Sequence, residues 1–408
     1  MKKSTAEVVA HSIGPEGDEL ITIVGTFPRI ILAEVNTHRM LSKNTSSSRA
    51  IPFFKMVKSV TDNPFIPYAF QGHHTGMQGE VYLDPNKKIT WEEIQPTIHE
   101  MITKNFSLED GDWADIEFSM NEYVWPLFKS DETGRTPAEW WLQVRNIIVG
   151  CAVMTYAMGV TKQIANRLLE PFMWVTDILT GTRDAWESFF YLRAPQYKTS
   201  DLVGVHTFRS REEILSHINL GPKFGFTEEA FLSFNTGQAE IHMMDFAESC
   251  WNAIRKSVPK DLEAGEWHIP FENKIRQMDF SNEISNSYKS KGFSPEKAAE
   301  NVLLKISTAM CARVSYTVVG DEKEITPEAL INIYDEKLIN QDPPHSSPFE
   351  HCARVMITED NEEEAVDNEY FHFIKGNDLG QSPEYGWCNN FKGFIQLRYL
   401  IEKENFKL

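Results

Sequence analysis

Three stretches of this 408-residue chain carry residue types from which chemistry could be built. The first runs Thr37-His38-Arg39-Met40-Leu41-Ser42-Lys43-Asn44-Thr45-Ser46-Ser47-Ser48-Arg49. Read as starting helical, it places His38 and Ser42 one turn apart on a common face. Asn44 to Ser48 then supply short hydrogen-bonding side chains at a chain bend, bracketed by Arg39 and Arg49. Hydroxyls, free backbone N–H groups and guanidinium forks together suit a phosphate. The same residues also fit a Ser-rich turn that caps a helix.

The second stretch leads from Lys162 to Arg193. Gln163, Asn166, Arg167 and Glu170 fall at i, i+3, i+4 and i+7, a polar stripe on a helix whose other faces are apolar. Such a stripe is ordinarily the solvated side of an amphipathic helix. Here Pro171 ends it and a dense aromatic run follows, which draws those groups toward a core. Arg193 closes that run, where a guanidinium shielded from water acts more strongly on an anion. The third stretch pairs Ala312-Arg313-Val314-Ser315 with His345-Ser346-Ser347-Pro348-Phe349-Glu350-His351-Cys352. His345, His351 and Cys352 raise a zinc reading, but their spacing fits no standard zinc module and no fourth ligand is evident, so no metal is expected. The other cysteines read as small core residues.

Absent motifs narrow the field. There is no G-x-G-x-x-G, no Gly-Lys dipeptide of a P-loop, no C-x-x-C, and no second histidine at the zincin spacing after His99-Glu100. With 59 acidic against 40 basic residues the net charge is −19, which opposes non-specific binding to nucleic acid. A small anionic ligand needs only a few arginines gathered locally. The most apolar run, 147–160, falls short of the ~20 residues a membrane span requires. No apolar signal-peptide core follows Lys2-Lys3, and five scattered cysteines make no disulfide framework, so a soluble cytoplasmic protein is expected.

The elements that must position these residues are partly marked. Thr90–Glu93 and Thr136–Glu139 fit capping boxes, and Ser294-Pro295-Glu296 and Thr326-Pro327-Glu328 repeat the start signal. Helices are expected over 91–106, 137–158, 295–310 and 327–339. Strand-like runs occupy 20–27 and 353–358, and 29–35 fits strand or helix. Residues 61–90 and 194–237 read as loops or insertions, and the acidic run 359–364 as a solvated turn. Helices dominate without regular strand alternation. The expected class is α+β, mostly helical with a mixed or antiparallel sheet, in a single elaborated catalytic domain over 1–408 with insertions at 54–135 and 194–237.

Taken together, the three blocks resemble the flavin-dependent thymidylate synthases. That family's hallmark is R-H-R followed by x-x-S-x-N-x-x-S-x-R; here the positions read Thr37-His38-Arg39, then Ser42, Asn44, Ser47 and Arg49. The stretch from Val160 to Arg193 resembles the family's paired helices, Gln238-Ala239-Glu240-Ile241 the helix after them, and the Ser315 and Ser347 blocks its flavin-side segments. The usual block order is changed, because the Ser315 and Ser347 blocks follow the histidine–arginine block. A circular permutation would account for that. Thr37 replaces an Arg, Thr45 stands where Glu is frequent, Ala50 replaces an aromatic, and Ser188 replaces an Asn.

The resemblance implies reductive methylation of dUMP to dTMP, with methylenetetrahydrofolate as carbon donor and NADPH-reduced FAD as hydride source. It assigns Arg193 and His345 to catalysis. It assigns Arg49, Ser47, Ser48, Thr45, Arg167 and Gln163 to dUMP, and His38, Arg39, Ser42, Asn44, Ser315, Ser347 and Ser188 to FAD. It also implies a homo-oligomer, a tetramer in the family. Other readings stay open: a related pyrimidine-nucleotide C5 methylase or hydroxymethylase, or a catalytically inactive nucleotide-binding homologue.

Overall fold

The computed structural model describes residues 3–404, 406 and 408, apart from 74–80, 106–110, 201–203, 218–230, 233, 318, 320–323, 342–343 and 357–386. Its centre is a five-stranded sheet. Strands β1 (Thr5–Ile13), β2 (Glu19–Pro28), β3 (Ser42–Thr45), β4 (Trp174–Thr182) and β5 (Lys260–Asp261) lie in the order β3-β4-β2-β1-β5. All neighbours are antiparallel except β1 and β5. A smaller antiparallel sheet joins β6 (Trp267–His268), β7 (Ala353–Val355) and β8 (Phe394–Gln396) in the order β8-β7-β6. The fold is therefore α+β with a mixed sheet.

Capping chemistry sets the helix starts as expected. The Thr136 hydroxyl accepts from the Glu139 N–H at 3.2 Å while Glu139 accepts from the Thr136 N–H at 2.8 Å, a complete capping box. It opens α2 (Pro137–Ala157), which follows α1 (Leu32–Thr37) in the labels used below. Thr90 and Glu93 form the same box before Trp91–Asn105. Ser294 caps the helix Pro295–Arg313 and Thr326 caps Pro327–Asn332, which continues into a π-helical turn over Ile333–Ile339.

Two expectations are corrected. The segment after Thr37 is not helical: α1 ends there, and Ser42 begins β3, so His38 and Ser42 do not share a helix face. The stretch 160–193 is not a pair of helices. A single turn, Lys162–Ala165, passes into a 3-10 segment Asn166–Phe172 containing Pro171, then into β4, then into α3 (Arg183–Arg193). Proline 171 offers no N–H for a further helical turn. Strand β4 is covered on both faces and so lacks the polar alternation that announces a half-exposed strand. The ambiguous run 29–35 is helical, a 3-10 turn Arg29–Ile31 leading into α1.

The two faces of the main sheet differ in chemistry. Ile21, Ile23, Phe27, Val175 and Leu179 pack with α3 and α4 (Ile241–Lys256) into a core that includes Trp186, Phe189 and Phe246. Phe246 sits so close that a Cβ on Gly25 would lie 2.5 Å from its ring, so β2 needs glycine there. The opposite face meets α5 (Pro295–Arg313), whose second core gathers Leu304, Ile306, Tyr334, Phe349 and Leu400, the last from α6 (Leu397–Glu404).

Residues 54–135 hold helices Trp91–Asn105, Gly111–Ser119 and Trp125–Lys129. Residues 194–237 hold a hairpin, Tyr197–Ser200 with Val205–Phe208, and a helix Arg211–His217. Arg211 and the Tyr197 hydroxyl both reach the buried Glu248 of α4 at 3.0 Å, which ties that segment to the core. The acidic run 359–364 lies outside the described residues. No helix among the described residues is long and apolar enough to cross a membrane.

Candidate functional site

Strand β3 sorts its side chains by alternation. Ser42 and Asn44 stand opposite Thr180 and Ile178, on the α5 face; Lys43 and Thr45 stand opposite Leu179 and Asp177, on the α3 face. Each face then collects a different set of partners.

On the α5 face Asn44 is buried and joins three distant segments. Its Oδ1 accepts from the Ser315 hydroxyl at 2.7 Å and the Ser347 hydroxyl at 3.2 Å, and its Nδ2 donates to the Cys311 carbonyl at 2.8 Å. The Ser47 N–H adds a bond to the Ser315 carbonyl at 3.1 Å. Three residues expected to share one ligand, 271 and 303 positions apart, thus converge through their own side chains. Both hydroxyls donate inward, so their lone pairs stay available to accept from a bound group. What the three side chains leave open is thus mainly acceptor capacity on the two serine oxygens, with one N–H of Asn44 Nδ2. Asn44→Ala strands two hydroxyls and a carbonyl in or near the core, and is expected to cost about 2–5 kcal/mol of stability by urea unfolding. Asn44→Ala combined with Ser315→Ala should cost less than the sum of the two single changes.

On the α3 face lies a row of charge. Arg193, the last residue of α3, donates through Nε to His38 Nε2 at 3.1 Å and through Nη2 to the Thr37 hydroxyl at 3.3 Å. Burial, then the Arg193 guanidinium, then Lys43 push the His38 imidazole down to about 4, so it stays neutral with Nε2 as acceptor. The His38 ring also meets Phe189 edge-on, at 4.9 Å between centroids. Lys43 donates to the His38 carbonyl, and burial lowers its ammonium against the pull of Asp177 and Glu350. Asp177 is fully buried in mid-sheet, and neither of its oxygens makes a well-formed hydrogen bond among the described residues. Burial pushes its carboxyl up to about 7; the Thr45 hydroxyl, Lys43 and the N–H groups of Asn44 and Ile178 moderate the effect.

The turn after β3 departs from its expected role at one position. The buried Ser48 hydroxyl donates to Glu170 Oε1 at 2.6 Å, and that carboxylate also meets Arg29 at 3.3 Å and Arg167 at 3.7 Å. Ser48 therefore pins the turn to the Asn166–Phe172 segment, and a carboxylate stands where a phosphate contact was expected. Asn166 reinforces the turn by donating to the carbonyls of Ser48 and Ile51 at 2.7 and 3.0 Å. The expected stripe is thus split: Asn166 is buried, Glu170 half-buried, and Gln163 and Arg167 exposed. Arg49 is exposed and Ser47 half-buried at the same turn, while Lys162 donates to the Ala50 carbonyl at 2.9 Å. Ser188 is exposed on α3, opposite the faces of Trp186 and Phe189 that enter the core. His345 is exposed, two residues from Ser347, and its N–H donates to the Leu338 carbonyl.

Between sheet and α5 runs a buried polar seam. Ser12, His268, Thr22, Thr180 and His351 form a continuous chain of hydrogen bonds at 2.9, 2.8, 2.8 and 2.9 Å. Burial drives both imidazoles down to about 3, so they are neutral in the folded protein. His351 is engaged with Thr180, while Cys352 lies by Ser307 and Thr308 at 3.4 and 3.7 Å.

Sequence reasoning passed over a cleft of about 460 Å³ at the β3 edge, whose far wall comes from residues 389–402. Arg39, Ser42 and Lys43 line it, facing Asn390, Gln396 and Arg398. The Asn389-Asn390 pair was the available signal, since such dipeptides mark turns and Asn389 adopts φ 53°.

No family model matches the chain, and no curated protein matches it. Among solved structures, the crystal structure of a UMP/dUMP methylase PolB from Streptomyces cacaoi bound with 5-Br UMP is similar at 12% identity, over 63% of this chain and 90% of that one. Its TM-score is 0.29. A likeness that loose carries no argument about this chain.

Proposed function

We propose that this chain is a pyrimidine-nucleotide C5 methylase that converts dUMP to dTMP with methylenetetrahydrofolate, FAD and NADPH. The observation that carries the reading is the meeting of Asn44, Ser315 and Ser347 on one face of β3 while Arg193 and His38 meet on the other. These are the positions at which the sequence resembles the flavin-dependent thymidylate synthases, brought together in the changed block order that a circular permutation would give.

FAD, reduced by NADPH, would supply the hydride when bound. The residues that would hold it are Asn44, Ser315, Ser347 and Ser42 on the α5 face of β3, with His38 and Arg39 on the turn that leads into the strand. Arg49 and the Ser47 side of the turn take the dUMP phosphate; Ser48 serves by fixing that turn through Glu170. Arg193 faces the uracil ring and stabilises the enolate charge that makes C5 nucleophilic, a role for which a fixed guanidinium suits better than a mobile one. Neutral His38 supplies the fixing by accepting from Nε. His345 stands where folate arrives, and its exposure leaves it free to meet a large co-substrate.

Purified protein should show a bound-flavin absorbance spectrum or take one up from FAD. It should also release tritium from C5-labelled dUMP only when NADPH and methylenetetrahydrofolate are both present. A protein that stays colourless after incubation with FAD sinks the reading. Mass spectrometry of the product separates a methyl from a hydroxymethyl group.

The reading extends to a homo-oligomer. Helix α2 is apolar on nearly all sides yet buries only Ala152. Phe54, Met154, Met158 and Ile164 are 67%, 64%, 79% and 57% exposed around it. Surfaces of that kind are normally covered by a partner. Met154→Lys with Met158→Lys is expected to shift light-scattering mass toward that of one chain, with the thermal midpoint falling at the same time.

A further inference from the structure

The cleft at the β3 edge has an uneven charge. Of its three cations, Arg398 is held by two carboxylates, Glu350 at 2.5 Å and Glu402 at 3.0 Å. Arg39 has no hydrogen bond or ion pair among the described residues, and the Lys43 ammonium donates only to a carbonyl. Glu350 and Glu402 line the cleft too, so it holds three cations against two carboxylates. Glu350 and Asp177 also pull on Lys43, and the excess positive charge falls on the β3 side, above all on Arg39, in a chain whose net charge is −19. In an acidic molecule, such a concave cationic spot focuses the field on one small anion.

The uncharged lining is built in advance. Gln396 Nε2 donates to Asn390 Oδ1 at 2.9 Å and to the Ser42 hydroxyl at 3.3 Å. Asn390 Nδ2 donates to the Met40 carbonyl at 2.8 Å, and Asn389 to Gln396 Oε1 at 2.8 Å. This network ties residues 389–396 to the turn that carries Arg39 and Lys43. The backbone that carries the two cations is thus anchored by a segment beyond the last block of resemblance.

We propose that this cleft binds the phosphate group of a nucleotide, with Arg39 and Lys43 as its cations and the Ser42–Asn390–Gln396 network as the support that fixes them. The inference rests on the reading above only for which nucleotide enters: FAD if Arg49 holds the dUMP phosphate, dUMP if it does not. Lys43 is its new ligand: it follows Ser42 on the edge strand, lines the cleft from there, and its ammonium donates to the His38 carbonyl. Binding there would also link the phosphate to the backbone of the residue that fixes Arg193.

The test measures binding of FAD against riboflavin, and of dUMP against deoxyuridine, to the full chain by calorimetry. One phosphate-bearing member should bind tighter than its dephosphorylated partner. That gap should shrink about 10- to 100-fold in Lys43→Met and in Arg39→Gln and persist in Lys43→Arg, with near-ultraviolet circular dichroism unchanged. The pair that shows the gap identifies the source. A gap of undiminished size in both charge-removing variants overturns the proposal, as does the absence of any gap while flavin or dUMP binds. If neither binds, inorganic pyrophosphate is the probe. Pyrophosphate binding that needs both cations keeps the cleft while the methylase reading falls, and no pyrophosphate binding overturns the cleft as well.

Discussion

Arg193→Ala is expected to lower turnover roughly 100- to 1,000-fold, the scale on which loss of one preorganised charge-stabilising donor is felt. The side chain is half-buried and is oriented by two bonds, to His38 Nε2 at 3.1 Å and to the Thr37 hydroxyl at 3.3 Å. Its Nη1 is left without a partner among the described residues, and this is the atom free to meet a developing oxyanion. Arg193→Lys keeps the charge and loses the fork, so it should recover little of the rate. A second readout separates loss of charge from loss of fold. Arg193 is a secondary cause, after burial, of the lowered His38 value of about 4. In Arg193→Ala the imidazole should therefore titrate higher, short of its ordinary value, by carbon-detected NMR of the ring. Full turnover in the alanine variant, with that titration moved, would leave Arg193 as a structural neighbour and nothing more.

What could be read from sequence follows from how local each partner is. The capping boxes at Thr136 and Thr90 were legible because both partners lie three residues apart. The strand at 20–27 was legible as a run rich in β-branched residues, Ile21 to Val24 above all. Strand β4 was not. Its hydroxyl face, Thr176 to Thr182, is matched by Thr26, Thr22 and His351, and its core face carries Asp177 amid apolar neighbours. A window centred on 178 sees hydroxyls, an acid and glycine, and nothing of what covers them. The site shows the same division. Residue types at 38–49, 193, 315 and 347 were visible from spacing, but whether a side chain would face a ligand or another protein group was not. Ser48 is the clearest instance, since its partner Glu170 is 122 positions away. Lys43 is another, because its value depends on a far wall at 389–402 for which no sequence signal stronger than an Asn-Asn turn exists.

The buried seam makes a sharper demand on pH than on catalysis. His268 and His351 hold folded values of about 3, below the ~6.5 of an unfolded chain. Over that interval the unfolded state binds more protons, so stability is fully present above the unfolded value and is lost as pH falls toward 3. Each imidazole is worth on the order of 4 kcal/mol across that interval, which makes this among the largest single-group effects in the molecule. Asp177 runs the other way. Its folded value of about 7 lies above that of a free carboxyl, so the folded state retains a proton that the unfolded chain releases, and its contribution declines as pH rises from about 4 to 7. Urea midpoints measured from pH 3.5 to 7.5 should therefore separate the groups. His351→Gln, which keeps a bond to Thr180 without titrating, should flatten the acid-side slope by about one proton, and His268→Gln likewise. Asp177→Asn should leave the histidine-driven loss in place and raise stability at pH 7.5 relative to pH 4, with the urea slope itself unchanged. An acid limb identical in wild type and in both glutamine variants would mean that the imidazoles are reached by water or already protonated in the folded chain. The dry seam of neutral rings would then be refuted, although its bonds could persist, because the hydroxyls of Ser12, Thr22 and Thr180 can accept from protonated rings as well as donate to neutral ones.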